Sequence, residues 1–346
     1  MKMYTCKRRF LLAAALGAPL LAWSRGIAIP PVPGPRLSGT YLQLLREHCE
    51  WTHADWTRLF ENLQRLQISR IVVQWVAIDD LNFHLAPRAG NKSSLVEILE
   101  LAEPAGMKVM VGLNHDQAYW EKIAQPPDLV VAYLADREAR TVRVINELIP
   151  VVESSPSFLG WYLCDEIDDA SWRDPAAASI LHSYLHRLSA YLRLTSPAAS
   201  IGISGFSNAE APAEQVERFW DGLLRAAPAI GIVIFQDGIG VHKLTLDTLA
   251  VYAAAVRAAA QSTQCEFWSV VELFEQTGGK PPDTAPFRAV AAPFSRVLDQ
   301  LRIEAVFTSD LIGFTAPDYM FSLLDPGARA LFSAYLQYMG RSLDGN

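Results

Sequence analysis

The chain has 346 residues, of which 51% are hydrophobic and 19% are charged. This composition provides enough apolar material for a large core and excludes a chain that is disordered throughout. The net charge is −7, and the absence of a basic patch argues against nucleic acid as a ligand. Four cysteines without pair-like spacing argue against a disulfide scaffold and a zinc ribbon.

The N-terminal segment, residues 1–28, has the pattern of an export signal. A basic run at 7–9 precedes an apolar run at 10–22, which is too short for a membrane span and typical of a signal peptide. The same basic run resembles a degenerate twin-arginine signal. The pattern predicts a periplasmic or secreted protein with no stable membrane span after signal cleavage, and an uncleaved membrane anchor is the alternative. The proline-rich stretch 29–36 predicts an extended linker.

After the linker, short apolar runs alternate with longer amphipathic ones. The short runs are rich in β-branched residues, aromatic residues or glycine and end at turn or polar residues, as strands do. Eight are recognisable: Ser38–Leu42, Arg70–Ala77, Lys108–Asn114, Leu159–Asp165, Ser200–Gly205, Ile230–Gln236, Glu266–Val271 and Ala305–Thr308.

The longer runs carry apolar residues at helical spacing. Eight are predicted: Thr52–Gln67, Leu95–Ala105, Leu129–Val152, Ala176–Leu194, Ala213–Ala226, Leu246–Ala260, Phe287–Leu301 and Ala328–Met339. Eight strands alternating with eight helices predict an α/β protein, a single-domain (β/α)8 TIM barrel over residues 37–346. An open doubly wound sheet is the alternative, but no glycine-rich phosphate turn follows the first strand.

In such a barrel the active site lies at the carboxyl ends of the strands. Polar and aromatic residues gather at six of these ends, where a solvated rim would favour lysine and glutamate. The predicted substrate contacts are Gln43, Gln74, Trp75, Asn114, His115, Tyr162, Asp165, Gln236 and Asp237. Further aromatic residues could stack on sugars or simply pack: Tyr41, Trp51, Trp161 and Trp268.

Two glutamates stand out, because Glu166 follows the fourth strand and Glu272 follows the seventh. Strand alternation places Glu166 with Tyr162 on one face and Trp161 on the other, so Glu166 should point into the barrel mouth. Alternation is less decisive for Glu272. Two carboxylates that flank a sugar are what glycoside hydrolysis requires, one as proton donor and one as nucleophile or base.

Each candidate also has a structural interpretation. Glu166 belongs to an acidic run near a helix start, where carboxylates are favoured. Glu272 could form an ion pair at the rim, Asp237 could be a turn residue, and His115 could cap a helix.

Other chemistries have weaker support. The sequence contains no HExxH motif, no nucleophile elbow and no phosphate-binding loop. His84, His115 and His242 are scattered, so no metal site is expected. Cys164 could be a nucleophile, but a cysteine inside a barrel strand is usually a small hydrophobic residue. We expect neither a metal nor an organic cofactor.

Five motifs, taken in order, resemble the bacterial family of domain of unknown function 4434. They are SGTYLQ at 38–43, VVQW at 72–75, WYL leading to Glu166 at 161–166, FQDGIG at 235–240 and VELFE at 271–275. The resemblance spans about 37–314 and implies a glycoside-hydrolase-like (β/α)8 barrel.

The glutamates on strands four and seven also resemble those of the retaining glycosidases of clan A. That resemblance implies Glu166 as general acid/base and Glu272 as nucleophile. In the clan an asparagine that contacts the sugar 2-hydroxyl usually precedes the acid/base, whereas Asp165 stands here. The last strand also lacks a tryptophan that is frequent in the clan.

The sequence therefore predicts an exported glycoside hydrolase that cleaves a polysaccharide or oligosaccharide by a two-carboxylate, retaining mechanism. A non-catalytic glycan-binding or scaffolding barrel of an exopolysaccharide system is the alternative, because the same aromatic rim would serve it.

Overall fold

The computed structural model describes the chain in four stretches: residues 34–86, 92–278, 288–314 and 326–340. The predicted signal and the first part of the linker, up to residue 33, lie outside the described residues. The described residues belong to one compact unit.

Eight parallel strands form a closed barrel in which each strand pairs with the next one along the chain. The last strand closes on the first, with Gly39 opposite Ile312 and Thr40 opposite Gly313. The predicted (β/α)8 TIM barrel is therefore confirmed. The barrel strands are β1 (Gly39–Leu42), β2 (Arg70–Val73), β3 (Lys108–Gly112), β4 (Phe158–Asp168), β5 (Ser200–Phe206), β6 (Ile232–Gln236), β7 (Glu266–Glu272) and β8 (Leu311–Phe314).

Helices of the described residues surround this barrel. Several begin at side-chain caps: Thr52 accepts a hydrogen bond from the Asp55 N–H, and Asp174 accepts from Ala176 and Ala177. The helices are α1 (His53–Arg65), α2 (Ser94–Ala102), α3 (Tyr119–Ile123), α4 (Pro127–Val152), α5 (Pro175–Thr195), α6 (Ala213–Ala226), α7 (Leu246–Ser262), α8 (Phe294–Glu304) and α9 (Pro326–Tyr338), with a 3₁₀ turn at Arg46–Cys49.

Short strands extend the loops that follow the barrel strands. Ala77–Ile78 pairs with Leu81–Asn82 and with Asn114–His115, so the loops after β2 and β3 are hydrogen-bonded to each other. Phe274–Gln276 pairs with Ala289–Ala291 after β7. These pairings add structure to the end of the barrel at which the predicted site lies.

The predicted eighth strand, Ala305–Thr308, is wrong. Ala305 is the C-cap of α8, the next residues form a turn, and Val306 is 73% exposed. The strand that closes the barrel is β8, whose Leu311, Ile312 and Gly313 are buried. A strand of a parallel barrel is buried on both faces, whereas Val306 is largely exposed and so cannot belong to such a strand.

The barrel interior confirms the alternation predicted for β4. The Tyr162 ring points inward, where its hydroxyl lies 2.5 Å from Ser204 Oγ and its ring meets Tyr41 edge-on. Trp161 lies on the other face against Phe158. Large side chains thus fill the barrel below its mouth.

The two ends of the barrel domain meet at the amino-terminal end of the strands. The Leu37 N–H, two residues before β1, donates a 2.7 Å hydrogen bond to the Tyr335 hydroxyl on α9. The Tyr338 hydroxyl donates to the Pro35 carbonyl oxygen at 3.0 Å. The carboxyl-terminal part of α9 therefore lies beside the start of β1, at the barrel end opposite the mouth.

Three further properties concern the described residues alone. Cys49, Cys164 and Cys265 are all free thiols. No described helix combines the length and apolar character needed to cross a bilayer. Within the same residues, no cluster of three or more His, Cys, Asp or Glu side chains has the arrangement of a metal site.

Candidate active site

A cavity of about 460 Å³ opens at the carboxyl ends of the strands. Seven predicted site residues line it: Gln43, Gln74, Trp75, His115, Glu166, Gln236 and Glu272. The remaining lining residues are Leu45, Trp120, Phe206, Gly238, Val241, Lys243, Phe274 and Phe314. The two glutamates therefore share one pocket with amide and aromatic side chains.

Glu166 lies where β4 departs from regular pairing. The register between β4 and β5 shifts between Leu163 and Ile167. The Gln236 amide donates to Glu166 Oε1 at 3.4 Å and to Ser204 Oγ at 3.0 Å. These two hydrogen bonds orient the Gln236 side chain between Glu166 and Ser204. Burial raises the pKa of Glu166, against the opposing effects of the Gln236 hydrogen bond and the Lys243 charge. A carboxyl with a raised pKa suits a general acid.

Glu272 ends β7 and is only 3% exposed. The Val241 N–H donates to Glu272 Oε2 at 3.1 Å. Burial and then the nearby Asp237 carboxylate raise the pKa of Glu272 to about 8, opposed by the Val241 and Gly240 N–H groups and by Arg296. Burial and the Asp237 charge therefore both disfavour the ionised form of Glu272.

Gly240 lets the loop after β6 approach Glu272 closely. A Cβ at this position would lie 2.4 Å from the Phe274 carbonyl oxygen and 2.8 Å from Glu272 Oε2. Both distances are far shorter than ordinary contacts, so a larger residue would displace the loop. The glycine in the FQDGIG motif therefore has a steric role next to the carboxylate.

Asp237 lies beneath the cavity and is fully buried. Its carboxylate accepts hydrogen bonds from the Ile239 N–H at 3.1 Å, the Glu272 N–H at 3.3 Å and the Gln300 amide. Glu304 is buried close by, and burial raises its pKa well above the usual range. Asp237 was predicted to contact substrate, and the structure instead places it as a support for β7 and the loop that holds Glu272.

Asp165 faces the helices, away from the cavity. Arg137 Nε donates to its Oδ1 at 2.6 Å, and the Tyr184 hydroxyl donates to its Oδ2 at 2.8 Å. Both ionic side chains are 3% exposed. The predicted substrate contact at Asp165 is thus replaced by a buried ion pair that joins β4 to α4 and α5.

Two other predicted contacts lie outside the cavity lining. Tyr162 is fully buried and bonded to Ser204 in the barrel floor. Asn114 accepts a hydrogen bond from the Thr141 hydroxyl and lines a separate cavity of about 260 Å³ beside α4.

His115 lines both cavities, stacked on Trp75 with ring centroids 4.9 Å apart. Burial, together with the Arg137 charge, lowers the pKa of His115, so its imidazole is a neutral hydrogen-bonding group at neutral pH.

The additional aromatic candidates do not line the cavity. Tyr41 is buried below it, Trp51 packs against Trp56, and Trp161 faces the helices. Trp268 contacts Arg70, the first residue of β2, so it lies toward the opposite end of the barrel.

Sequence reasoning missed the residues that form one wall of the cavity. Trp120 is 39% exposed and lies 5.7 Å from Phe206 between ring centroids. The Lys243 ammonium lies 3.2 Å from the centroid of the Phe206 ring. Phe206 ends β5, so inspection of that strand end would have found it. Trp120 lies in the short helix α3 and Lys243 in the loop after β6. Neither belongs to a motif, and both segments are too short for hydrophobic periodicity to give a signal.

Comparison with known proteins places this barrel in a family. Residues 37–328 match the family described as Domain of unknown function (DUF4434). The chain belongs to this family. The family resemblance read from the motifs is thereby confirmed. The chain is also similar to the uncharacterized protein YbcH of Escherichia coli (strain K12), with 27% identity over 245 residues, 70% of this chain and 79% of YbcH.

Two solved structures share the fold of this DUF4434 chain. One is described as a "putative alpha-L-fucosidase" from Bacteroides thetaiotaomicron VPI-5482, with a TM-score of 0.71, 19% identity, and coverage of 96% of this chain and 100% of that one. The other is a GH18 chitinase from Pseudoalteromonas aurantia, with a TM-score of 0.54, 10% identity, and coverage of 87% and 100%. At these identities the likeness concerns the barrel fold.

Proposed function

We propose that this DUF4434 protein is an exported glycoside hydrolase that cleaves a polysaccharide by a retaining mechanism. The observation that carries the proposal is the shared cavity, in which glutamates from β4 and β7 meet amide and aromatic side chains. The description of both structural neighbours as glycoside-cleaving proteins is consistent with it. Fold alone does not assign an activity, so the argument depends on the site.

In this mechanism Glu166 protonates the glycosidic oxygen while Glu272 attacks the anomeric carbon. The bond to the leaving sugar breaks, and a glycosyl ester forms on Glu272. Water then attacks the anomeric carbon, Glu166 accepts its proton, and the Glu272 carboxylate is released. The raised pKa of Glu166 suits the first step, and Glu272 must be ionised to act.

The rest of the cavity suits a sugar. The amides of Gln43, Gln74 and Gln236 offer donors and acceptors for hydroxyl groups, and Gln43 already donates to Gln74 Oε1 at 3.0 Å. Trp120, with its exposed ring, offers an apolar face for stacking. Pockets of this kind, with apolar walls and few oriented polar groups, are typical of small-molecule and sugar sites.

The test is release of reducing ends from a panel of bacterial exopolysaccharides and plant glucans. We expect Glu166→Gln and Glu272→Gln each to lower turnover by about 10²–10⁴-fold, because each removes a group that acts in the transition state. Glu275→Gln is the matched control, since Glu275 lies three residues after Glu272 and outside the cavity lining.

Three outcomes would contradict the proposal. Equal activity of both glutamate variants and the wild type would exclude these two residues as the catalytic pair. A product released with inverted anomeric configuration would exclude the nucleophilic role of Glu272. Glycan binding without any release would favour the binding or scaffolding barrel instead.

A further inference from the structure

Lys243 is the cationic side chain in the lining of this cavity, and its ammonium group is unusually placed. It rests on the Phe206 ring at 3.2 Å. Among the described residues, no carboxylate lies within 4.0 Å of this ammonium and no side chain accepts a hydrogen bond from it. An ammonium has three donors and no acceptor, so the Lys243 ammonium can bind an anionic group in the cavity without breaking an existing ion pair.

The acidic side chains around Lys243 form no direct ion pair with its ammonium group among the described residues. Burial lowers the pKa of Lys243, and the carboxylates of Glu166, Asp168, Glu272 and Asp169 oppose that shift from a distance.

Asp168 and Asp169 each accept hydrogen bonds from the surrounding loops through one carboxylate oxygen. Asp168 Oδ1 accepts from the Ala170 and Ser171 N–H groups at 2.7 Å each, and from the Asn208 amide at 3.0 Å. Asp169 Oδ1 accepts from the Asn208 N–H at 3.0 Å. These contacts fix each carboxylate through its Oδ1, whereas the Oδ2 of each is buried without a hydrogen-bond partner among the described residues. Lys243 lines the cavity.

We propose that Lys243 binds an anionic substituent of the substrate, a carboxylate or a sulfate ester on a sugar ring that packs against the Trp120–Phe206 wall. This inference rests on the proposed function and narrows its substrate to an acidic glycan. The aromatic wall supplies the apolar contact and the ammonium supplies the charged one, side by side along a single surface.

The experiment compares matched pairs of glycans. Polyuronates and uronate-containing exopolysaccharides are assayed beside their carboxyl-reduced forms, and sulfated glycans beside their desulfated forms. We expect the wild type to prefer one charged form by at least tenfold in kcat/KM, and the pair that shows the preference identifies the substituent. Lys243→Met should remove most of this preference, mainly through KM, whereas Lys243→Arg should keep it.

Lys122→Met is the control, because it makes the same change of charge at an exposed residue outside the cavity. Loss of the preference in this control as well would overturn the proposal. The proposal would also be overturned if Lys243→Met left the preference intact, or if the wild type showed no preference for a charged glycan. It would be overturned as well if Lys243→Met changed only the pH profile of kcat/KM, and did so equally for both glycans of a pair.

Binding measurements separate this inference from the proposed function. Affinity for each glycan pair is measured by calorimetry in a Glu272→Gln background, with and without Lys243→Met. Charge-selective binding that depends on Lys243 and weakens with salt would support the subsite even if the wild type hydrolysed nothing. Hydrolysis with no dependence on Lys243 would overturn the subsite and leave the hydrolase.

Discussion

At the scale of single residues, the environment of Glu272 is set by groups below the cavity. Asp237 accepts the Glu272 N–H from beneath, and Arg296 donates to the Glu272 carbonyl oxygen at 3.0 Å. The negative charge of Asp237 raises the pKa of Glu272, and the positive charge of Arg296 lowers it. Two opposite charges close to one carboxyl thus offer two independent ways to shift its titration.

We expect Asp237→Asn to move the acidic limb of the activity profile to lower pH. In the proposed mechanism Glu272 acts as a carboxylate, so activity rises as it loses its proton, and removal of the Asp237 charge lowers the pKa at which this occurs. The shift should be on the order of one pH unit, as a close charge produces. It is measured as kcat/KM against pH.

Arg296→Gln is the complementary variant, and its limb should move to higher pH. It also keeps the test valid if Asp237→Asn fails to fold. The proposed control of the Glu272 pKa would be contradicted if the acidic limb of the kcat/KM profile stayed in place in both variants. It would also be contradicted if the limb moved in the same direction in both.

The sequence alone could only partly predict which of Gln236 and Asp237 faces the cavity. Adjacent residues at a strand end point to opposite sides, so the pair could not both reach the cavity in a regular strand. The structure puts Gln236 in the cavity and Asp237 below it. The burial partners of Asp237, Gln300 and Glu304, lie more than sixty residues away in sequence, and nothing local indicates them.

At the scale of elements, β4 is fixed to its helices by the Arg137–Asp165 ion pair. Removal of one partner from a buried pair leaves the other charge without compensation. We expect Arg137→Met to lower the free energy of unfolding by about 3–5 kcal/mol, measured by urea denaturation.

Arg140→Met is the matched control on the same helix. Arg140 pairs with Asp136 at the surface, where both side chains are more than half exposed. Such a pair contributes about 0–1 kcal/mol. Similar losses in the two variants would show that burial of the Arg137–Asp165 pair is not what makes it important.

The same pair shows a limit of family resemblance. The position before the proposed acid/base was expected to face the substrate, and Asp165 instead faces α4 and α5. Strand alternation places Asp165 on the face of Trp161, opposite Tyr162. That signal was present in the sequence, but the resemblance to the clan pointed the other way.

Helix α8 contributes polar groups to the interior that its sequence pattern conceals. Arg296, Gln300 and Glu304 follow one another at four-residue spacing and therefore share one face. Val297 and Leu301 beside them are buried. Polar residues beside the core-facing positions of a helix were a signal that could have pointed to this support beneath Glu272.

At the scale of the whole molecule, Glu304 links stability to pH. Its pKa in the folded protein is raised well above the ordinary value by burial and then by the nearby Asp237. The stability that its neutral form contributes is full below the ordinary pKa and is lost as pH rises through the raised one.

We expect Glu304→Gln to be more stable than the wild type at pH 9, by about 1 kcal/mol or more, because glutamine does not ionise. At pH 5 the two proteins should differ less. Urea denaturation at both pH values measures this, with Glu217→Gln at an exposed position of α6 as the control. A stability difference that does not depend on pH would contradict the prediction.

The closed barrel itself was predictable because parallel strands buried on both faces give short apolar runs between longer amphipathic ones. The exception was β8, because Ala305–Thr308 and Leu311–Phe314 are both short and largely apolar, but only the second segment lies in the buried sheet. Composition cannot distinguish the two segments, since only the closure against β1 and β7 decides which one enters the sheet.

The contact between Pro35 and Tyr338 has a practical consequence. Both residues lie at the barrel end opposite the cavity, so a solid support or a fluorescent label coupled there faces away from the mouth. Under the proposed function, a polysaccharide needs open space on the mouth side to reach the two glutamates. Immobilisation through this end would therefore preserve access, whereas coupling through the loops after β3 or β6 would obstruct it.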